Sequence, residues 1–194
     1  GAVLIQDGQI EAVFLENPPV FEDIATISGH GSYLTSGLID CHQHGCLGCD
    51  YSLGESASVD RILEYQLSQG TTSSLAGPKI HVDDADWKHV YQLKEYLLTG
   101  KYRHALAGFH FEGPFIVPQC QGGIPKEYLR DSVSGNELDR LLKILGPDLR
   151  ILSFSPEIEG ADLLIRKCQA EGIILSIAHT DCNWELADQM YQKG

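Results

Sequence analysis

The sequence predicts an α/β fold built on a parallel sheet, on three observations. Helix-like segments end five times at a glycine, at Gly70, Gly100, Gly146, Gly172 and Gly194. An apolar, strand-like stretch follows each of the first four. Polar or reactive side chains close those stretches, as they close one earlier strand. Strands alternating with helices make βαβ units and hence a parallel sheet. In such sheets the working groups gather at the carboxyl ends of the strands.

The chain opens differently. Val3-Leu4-Ile5 and Ile10-Glu11-Ala12-Val13-Phe14 flank Asp7-Gly8, which predicts a β-hairpin. Asn17-Pro18-Pro19 and Ser28-Gly29-His30-Gly31 are breaker clusters. They set residues 1–36 apart from the repeating part at 37–194.

The repeating part begins with the strand Leu38-Ile39-Asp40-Cys41-His42-Gln43-His44, bracketed by Gly37, Gly45 and Gly48. Neighbours at i and i+2 on a strand share a face, so His42 and His44 project together. Two imidazoles so placed suit one divalent cation. Taken alone, two nearby histidines also read as surface or core residues. The following helices show apolar residues at helical spacing: Ile62, Leu63 and Leu67; Val90, Leu93, Tyr96 and Leu97; Leu138, Leu141, Leu142 and Leu145; Leu164, Ile165 and Cys168. The strands between them end in Ala76-Gly77, in His110-Phe111-Glu112-Gly113-Pro114, in Ser155-Pro156-Glu157 and in Ala178-His179-Thr180. Imidazoles and carboxylates from several strands meeting at one sheet edge make a single metal site the economical reading.

Composition narrows the function classes. The net charge of −13 argues against nucleic-acid binding. No stretch approaches the roughly 20 apolar residues of a membrane span, and no signal peptide is visible. Six cysteines in a sequence of this kind point to a reducing compartment, hence the cytoplasm. Cys46-Leu47-Gly48-Cys49 directly follows the H-x-H, so a zinc or redox site there must be weighed. A single C-x-x-C without a second pair reads as incidental.

The motifs carry a resemblance. Ser36-Gly37-Leu38-Ile39-Asp40-Cys41-His42-Gln43-His44-Gly45 resembles the opening metal motif of the amidohydrolase superfamily. Gly108-Phe109-His110-Phe111-Glu112-Gly113-Pro114-Phe115 is similar to the G-x-H-x-E-G-P-F block of N-acetylglucosamine-6-phosphate deacetylases. Ser155-Pro156-Glu157 resembles their A-P-E segment, and Ser176-Ile177-Ala178-His179-Thr180 their S-x-G-H-[ST] segment. The resemblance implies an incomplete (β/α)8 TIM barrel, about its first five strands, at residues 37–194, and part of a small β-sandwich lobe at residues 1–36. An eight-stranded barrel takes about 250 residues, and 194 do not close one.

It also implies an activity: metal-assisted hydrolysis of the N-acetyl group of an amino-sugar phosphate. The implied ligands are His42, His44, Glu112 and His179, holding one or two divalent ions of zinc or iron. His110 is expected to pack behind Glu112 and orient it. Gly122 and Gly123 are expected at the substrate, on the loop that matches the family's K-G-A-H-P segment. That loop reads Gln121-Gly122-Gly123-Ile124-Pro125 here, so a histidine that contacts substrate in the family is Ile124. The proton-transferring aspartate of the family is expected beyond Gly194, which makes this stretch a piece of a larger enzyme, inactive alone. A homodimer is implied for the whole enzyme. Glu157 reads as structural, and His30, His81, His89 and His104 receive no role. The alternatives are another amidohydrolase, dihydroorotase-like or an N-acyl amino acid deacylase, and a catalytically silent fragment.

Overall fold

A computed structural model describes residues 1–79 and 87–194; His81 lies outside them. The chain divides into two compact units, Gly1–Ser36 and Gly37–Gly194.

In the first unit, strands β1 (Ala2–Gln6) and β2 (Gln9–Phe14) pair antiparallel across Asp7-Gly8. Both turn residues have positive φ, 51° and 75°, as the two-residue hairpin turn whose twist matches its strands requires. The register slips between Leu4 and Ile5. Phe14 packs against Phe21, ring centroids 6.3 Å apart. Residues 15–36 carry no helix or strand, and Leu15, Val20, Ile27 and Tyr33 are exposed.

The second unit alternates strand and helix throughout. Its strands are β3 (Leu38–Gln43), β4 (Thr71–Ala76), β5 (Leu106–Glu112), β6 (Leu149–Phe154) and β7 (Ile174–Ile177). Its helices are α1 (Ser56–Ser68), α2 (Lys88–Thr99), α3 (Gly135–Leu145), α4 (Ala161–Ala170) and α5 (Trp184–Lys193). All five strands run parallel, in the order β3-β4-β5-β6-β7. Strands that join one after another in chain order wind the sheet in one sense, giving a curled half-barrel with β3 and β7 at its open edges.

One apolar cluster binds the layers. Val59, Ile62 and Leu63 of α1, Val90, Leu93 and Tyr96 of α2, Leu138, Leu141 and Leu145 of α3, and Leu164, Ile165 and Cys168 of α4 meet Leu106, Phe109, Phe111, Leu149, Leu152 and Phe154 of the sheet. The i, i+3, i+4 and i+7 spacings put each helix's apolar residues on one stripe, and burying that stripe is what holds the helix. Gly70, Gly146, Gly172 and Gly194 take positive φ after their helices, as expected of helix-ending glycines. Gly100 does not: its φ is −61°. A Cβ there would lie 2.4 Å from the Tyr96 ring, so this glycine is required by packing. Among the described residues no helix is long and apolar enough to cross a membrane.

Candidate metal centre

The pleat of β5 sorts its side chains. Phe109 and Phe111 enter the apolar cluster, and His110 and Glu112, offset by one residue, point the other way. β3 carries His42 and delivers His44 one residue past its end. His179 follows β7 by two residues, at φ 51°. The five side chains therefore collect at the carboxyl edge of the half-barrel.

Glu112 is the hub. Its Oε2 lies 3.3 Å from His44 Nε2 and 3.9 Å from His42 Nε2. Its Oε1 lies 2.6 Å from His179 Nε2. His42, His44 and Glu112 each offer one ligand atom within 4.8 Å of the others, the only such group among the described residues. The tautomers follow from the backbone. His44 Nδ1 is 2.6 Å from the Gly77 carbonyl and His179 Nδ1 is 2.8 Å from the Cys120 carbonyl. A carbonyl only accepts, so both Nδ1 atoms carry hydrogen. In the neutral rings each Nε2 then presents a lone pair to a carboxylate oxygen, which also presents lone pairs. Only a proton or a cation between them makes that approach favourable.

The electrostatics agree. Hydrogen bonding to His44, and then to His179, holds the Glu112 carboxyl down to about 2 against the opposing effect of burial. The same bond to Glu112 raises His44. Burial, with His110 next to it, lowers His42, keeping that imidazole neutral and its lone pair available. His42 Nδ1 is buried with no hydrogen-bond partner among the described residues. Two or three imidazoles around an ionised carboxylate, with an unpartnered ring nitrogen among them, fit a divalent cation of the zinc or iron kind.

The ring nitrogens of His110 bond groups other than the Glu112 carboxylate. Its Nδ1 donates to the Cys41 carbonyl at 2.7 Å, which leaves Nε2 to accept from Ser153 Oγ at 2.8 Å. Both nitrogens are thereby used, and its ring packs edge-on against His42, centroids 4.3 Å apart. It braces His42 between β3 and β6. The Ser155 hydroxyl, fully buried, donates to the His179 carbonyl at 2.7 Å and accepts from the Val117 amide at 3.0 Å. Asp40 accepts from the His42 amide at 3.2 Å and from Gln66 Nε2 at 3.3 Å, and Ser74 Oγ donates to Gln66 Oε1, which ties α1 and β4 to the H-x-H strand. Ser153 on β6 and Ser155 just past its end flank the buried Phe154, and a polar residue on each side of a core aromatic is the sequence signal for this support.

The predicted substrate loop lies beside the centre. Gly122, at φ 58°, would bring a Cβ to 2.8 Å from His179 Cε1, whereas Gly123 faces open space. Ile124 is buried in a small cluster with Ile116 and Leu129. It also lines a small recess with His44, Glu112, Lys79 and Tyr128. Lys79 and Tyr128 belong to no sequence motif and reach the site through the fold alone. Glu157 accepts from Thr180 Oγ1 and from the Asp181 amide at 2.9 Å, so its carboxylate fastens the loop after β7. Cys46 and Cys49 join no group of three metal-capable side chains among the described residues. Burial and the neighbouring Cys49 push the Cys46 thiol up.

No family model matches the chain. Individual proteins do. It is 31% identical over 205 residues to an N-acetylglucosamine-6-phosphate deacetylase of Bacillus subtilis, covering 100% of this chain and 50% of that protein. It is 25% identical over 190 residues to an N-acetylgalactosamine-6-phosphate deacetylase of Escherichia coli, covering 98% of this chain and 48% of that protein. The crystal structure of N-acetylglucosamine-6-phosphate deacetylase from Pasteurella multocida superimposes with a TM-score of 0.78 at 29% identity, over 90% of this chain and 45% of that one. The chain spans about half the length of the curated relatives it matches, and the resemblance read from its motifs extends over its whole length.

Proposed function

We propose that this chain forms the first half of the barrel, with part of a small β-sandwich lobe at 1–36, of a metal-dependent amidohydrolase that removes the N-acetyl group from an amino-sugar phosphate. One observation carries the metal part: Nε2 of His44 and Nε2 of His179, each with its Nδ1 hydrogen committed to a carbonyl, both face the carboxylate of Glu112. The relatives, all named as deacetylases of such sugars, support the reaction class.

His42, His44, Glu112 and His179 would hold the ion. The two oxygens of Glu112 face different histidines, and this donor set would hold one or two divalent ions, zinc or iron. When bound, a divalent ion lowers the pKa of its water and polarises the amide carbonyl. The chain's own residues do the rest of what this half contributes. Gly77 and Cys120 carbonyls fix which nitrogen of each histidine is free, His110 and Ser155 hold His42 and the His179 backbone in place, and Gly122 leaves room for the His179 ring. The recess with Ile124, Lys79 and Tyr128 supplies apolar surface and one cation where a phosphorylated sugar would enter. Six cysteines without a disulfide fit a cytoplasmic enzyme, and a homodimer is proposed for the full-length protein.

The test is acetate release by the full-length protein from N-acetylglucosamine 6-phosphate and from N-acetylgalactosamine 6-phosphate, before and after removal of metal by a chelator. Metal-dependent release from either supports the proposal. Full activity of the metal-free protein, or no release from either sugar, overturns it.

A further inference from the structure

The C-x-x-C that follows the metal motif has no part in the candidate centre and only rests against the edge of the apolar cluster. Cys46 and Cys49 occupy the ends of a tight turn: the Cys49 amide donates to the Cys46 carbonyl at 2.8 Å, and Leu47 and Gly48 between them have φ of 53° and 76°. Two successive positive φ values closed by a hydrogen bond from the fourth residue to the first define a type I′ turn. Such a turn holds its end residues within about 7 Å, Cα to Cα, and a disulfide spans about 4.4–6.8 Å. Both thiols are half-buried, each resting partly on the apolar cluster, so each remains reachable from solvent.

The surroundings hold this turn shut. Gly45, at φ 147°, lets the chain fold back so closely that a Cβ there would lie 2.1 Å from the Cys49 carbonyl. The Tyr51 amide donates to the His44 carbonyl at 2.9 Å, and the Asp50 carboxylate accepts from the Ser52 amide at 2.7 Å. The other cysteines sit elsewhere. Cys41 is on β3, Cys168 is buried on α4, and Cys120 and Cys182 belong to loops after β5 and β7. Local geometry thus favours one pairing.

We propose that Cys46 and Cys49 form a reversible disulfide across this turn, a modification site immediately behind the H-x-H motif. The chemistry is exchange with a small-molecule disulfide. The sulfur of one cysteine attacks a sulfur of the disulfide, its S–S bond breaks, and one small thiol leaves. The second cysteine then attacks the mixed disulfide, closes the protein S–S bond and releases the second small thiol. The two hydrogens lost by the protein leave on the two small thiols, and the small disulfide is the species reduced.

The full-length protein is equilibrated with oxidised and reduced glutathione in varying ratio, quenched in acid, alkylated and mapped by mass spectrometry without reduction. The expected result, in excess oxidised glutathione, is a peptide in which Cys46 and Cys49 are unalkylated and together lack two hydrogens while Cys41 is alkylated. Dithiothreitol reverses it. Cys46→Ser and Cys49→Ser each abolish the bridged species and Cys41→Ser retains it, with circular dichroism confirming that each variant is folded. Full alkylation of both residues in excess oxidant, or a dominant bridge from either to a different cysteine, overturns the proposal.

Discussion

Phe109 and Phe111 are 0% and 1% exposed in the apolar cluster, and His110 and Glu112, interleaved with them on β5, belong to the candidate centre. One face of the sheet is sealed by four helices through shape and apolar area. The other is organised by hydrogen bonds that fix tautomers and by a single carboxylate among imidazoles. The two faces therefore answer to different perturbations. The helix-covered face carries the stability of the fold, and the opposite face carries the proposed cation site.

The largest separation is expected from Phe109→Ala. Removing a fully buried aromatic side chain costs about 3–5 kcal/mol, read as a lowered denaturation midpoint in the full-length protein. The metal content of whatever remains folded should not change. Glu112→Gln is the converse. It should weaken metal binding by more than about 100-fold, at or beyond the upper end of the effect of losing a partner behind a ligand. The metal-free protein should lose about 1.5–3 kcal/mol, the worth of a hydrogen bond to a charged group, less than Phe109→Ala costs. If the two variants move both quantities together, the division between faces fails.

The same carboxylate gives a pH dependence. Its folded value near 2 lies below its ordinary 4.5, so between those values the folded metal-free protein binds fewer protons than the unfolded one. The stabilisation is complete above about pH 4.5 and is lost as pH falls towards 2. Acid titration of stability should show that loss in the parent and its absence in Glu112→Gln. A parallel decline in both would remove Glu112 from the account.

Smaller effects sharpen the picture. Gly122→Ala places a Cβ against the His179 ring at a positive φ, a strain of about 1–3 kcal/mol, with metal affinity falling as His179 is displaced. Wild-type metal affinity in this variant would show that His179 does not depend on the loop. Ser153→Ala removes the donor to His110 Nε2 and should cost about 1 kcal/mol, with a modest loss of metal affinity through His42. Unchanged affinity there would make His110 a spectator of the site.

The division between faces was partly legible in the sequence. Helix-period apolar residues such as Leu138, Leu141 and Leu145 predict their own burial, because a helix exposes a fixed angular stripe. The strand-end positions of His42, Glu112 and His179 could be read for the same reason, since parallel βα units put strand ends on one edge. The partners of His110 could not. They are a carbonyl on β3 and a hydroxyl on β6, and strand register is set by tertiary pairing that no local pattern encodes. The tautomers of His44 and His179 likewise depend on carbonyls of Gly77 and Cys120, 33 and 59 residues away in the chain. Gly100 shows the limit from the other side: its place after a helix predicts a left-handed cap, and the Tyr96 ring is the actual reason for it.

Glu112 and its histidines are proposed to bind a divalent cation. Anomalous scattering from crystals of the full-length protein, loaded with zinc and recorded on both sides of the zinc edge, tests it most directly. A peak at about 2.0–2.3 Å from Glu112 and from nitrogens of His42 and His44, or of His179, is the predicted result. Crystals of loaded protein with no peak at Glu112, or with zinc held only by other residues, would contradict it.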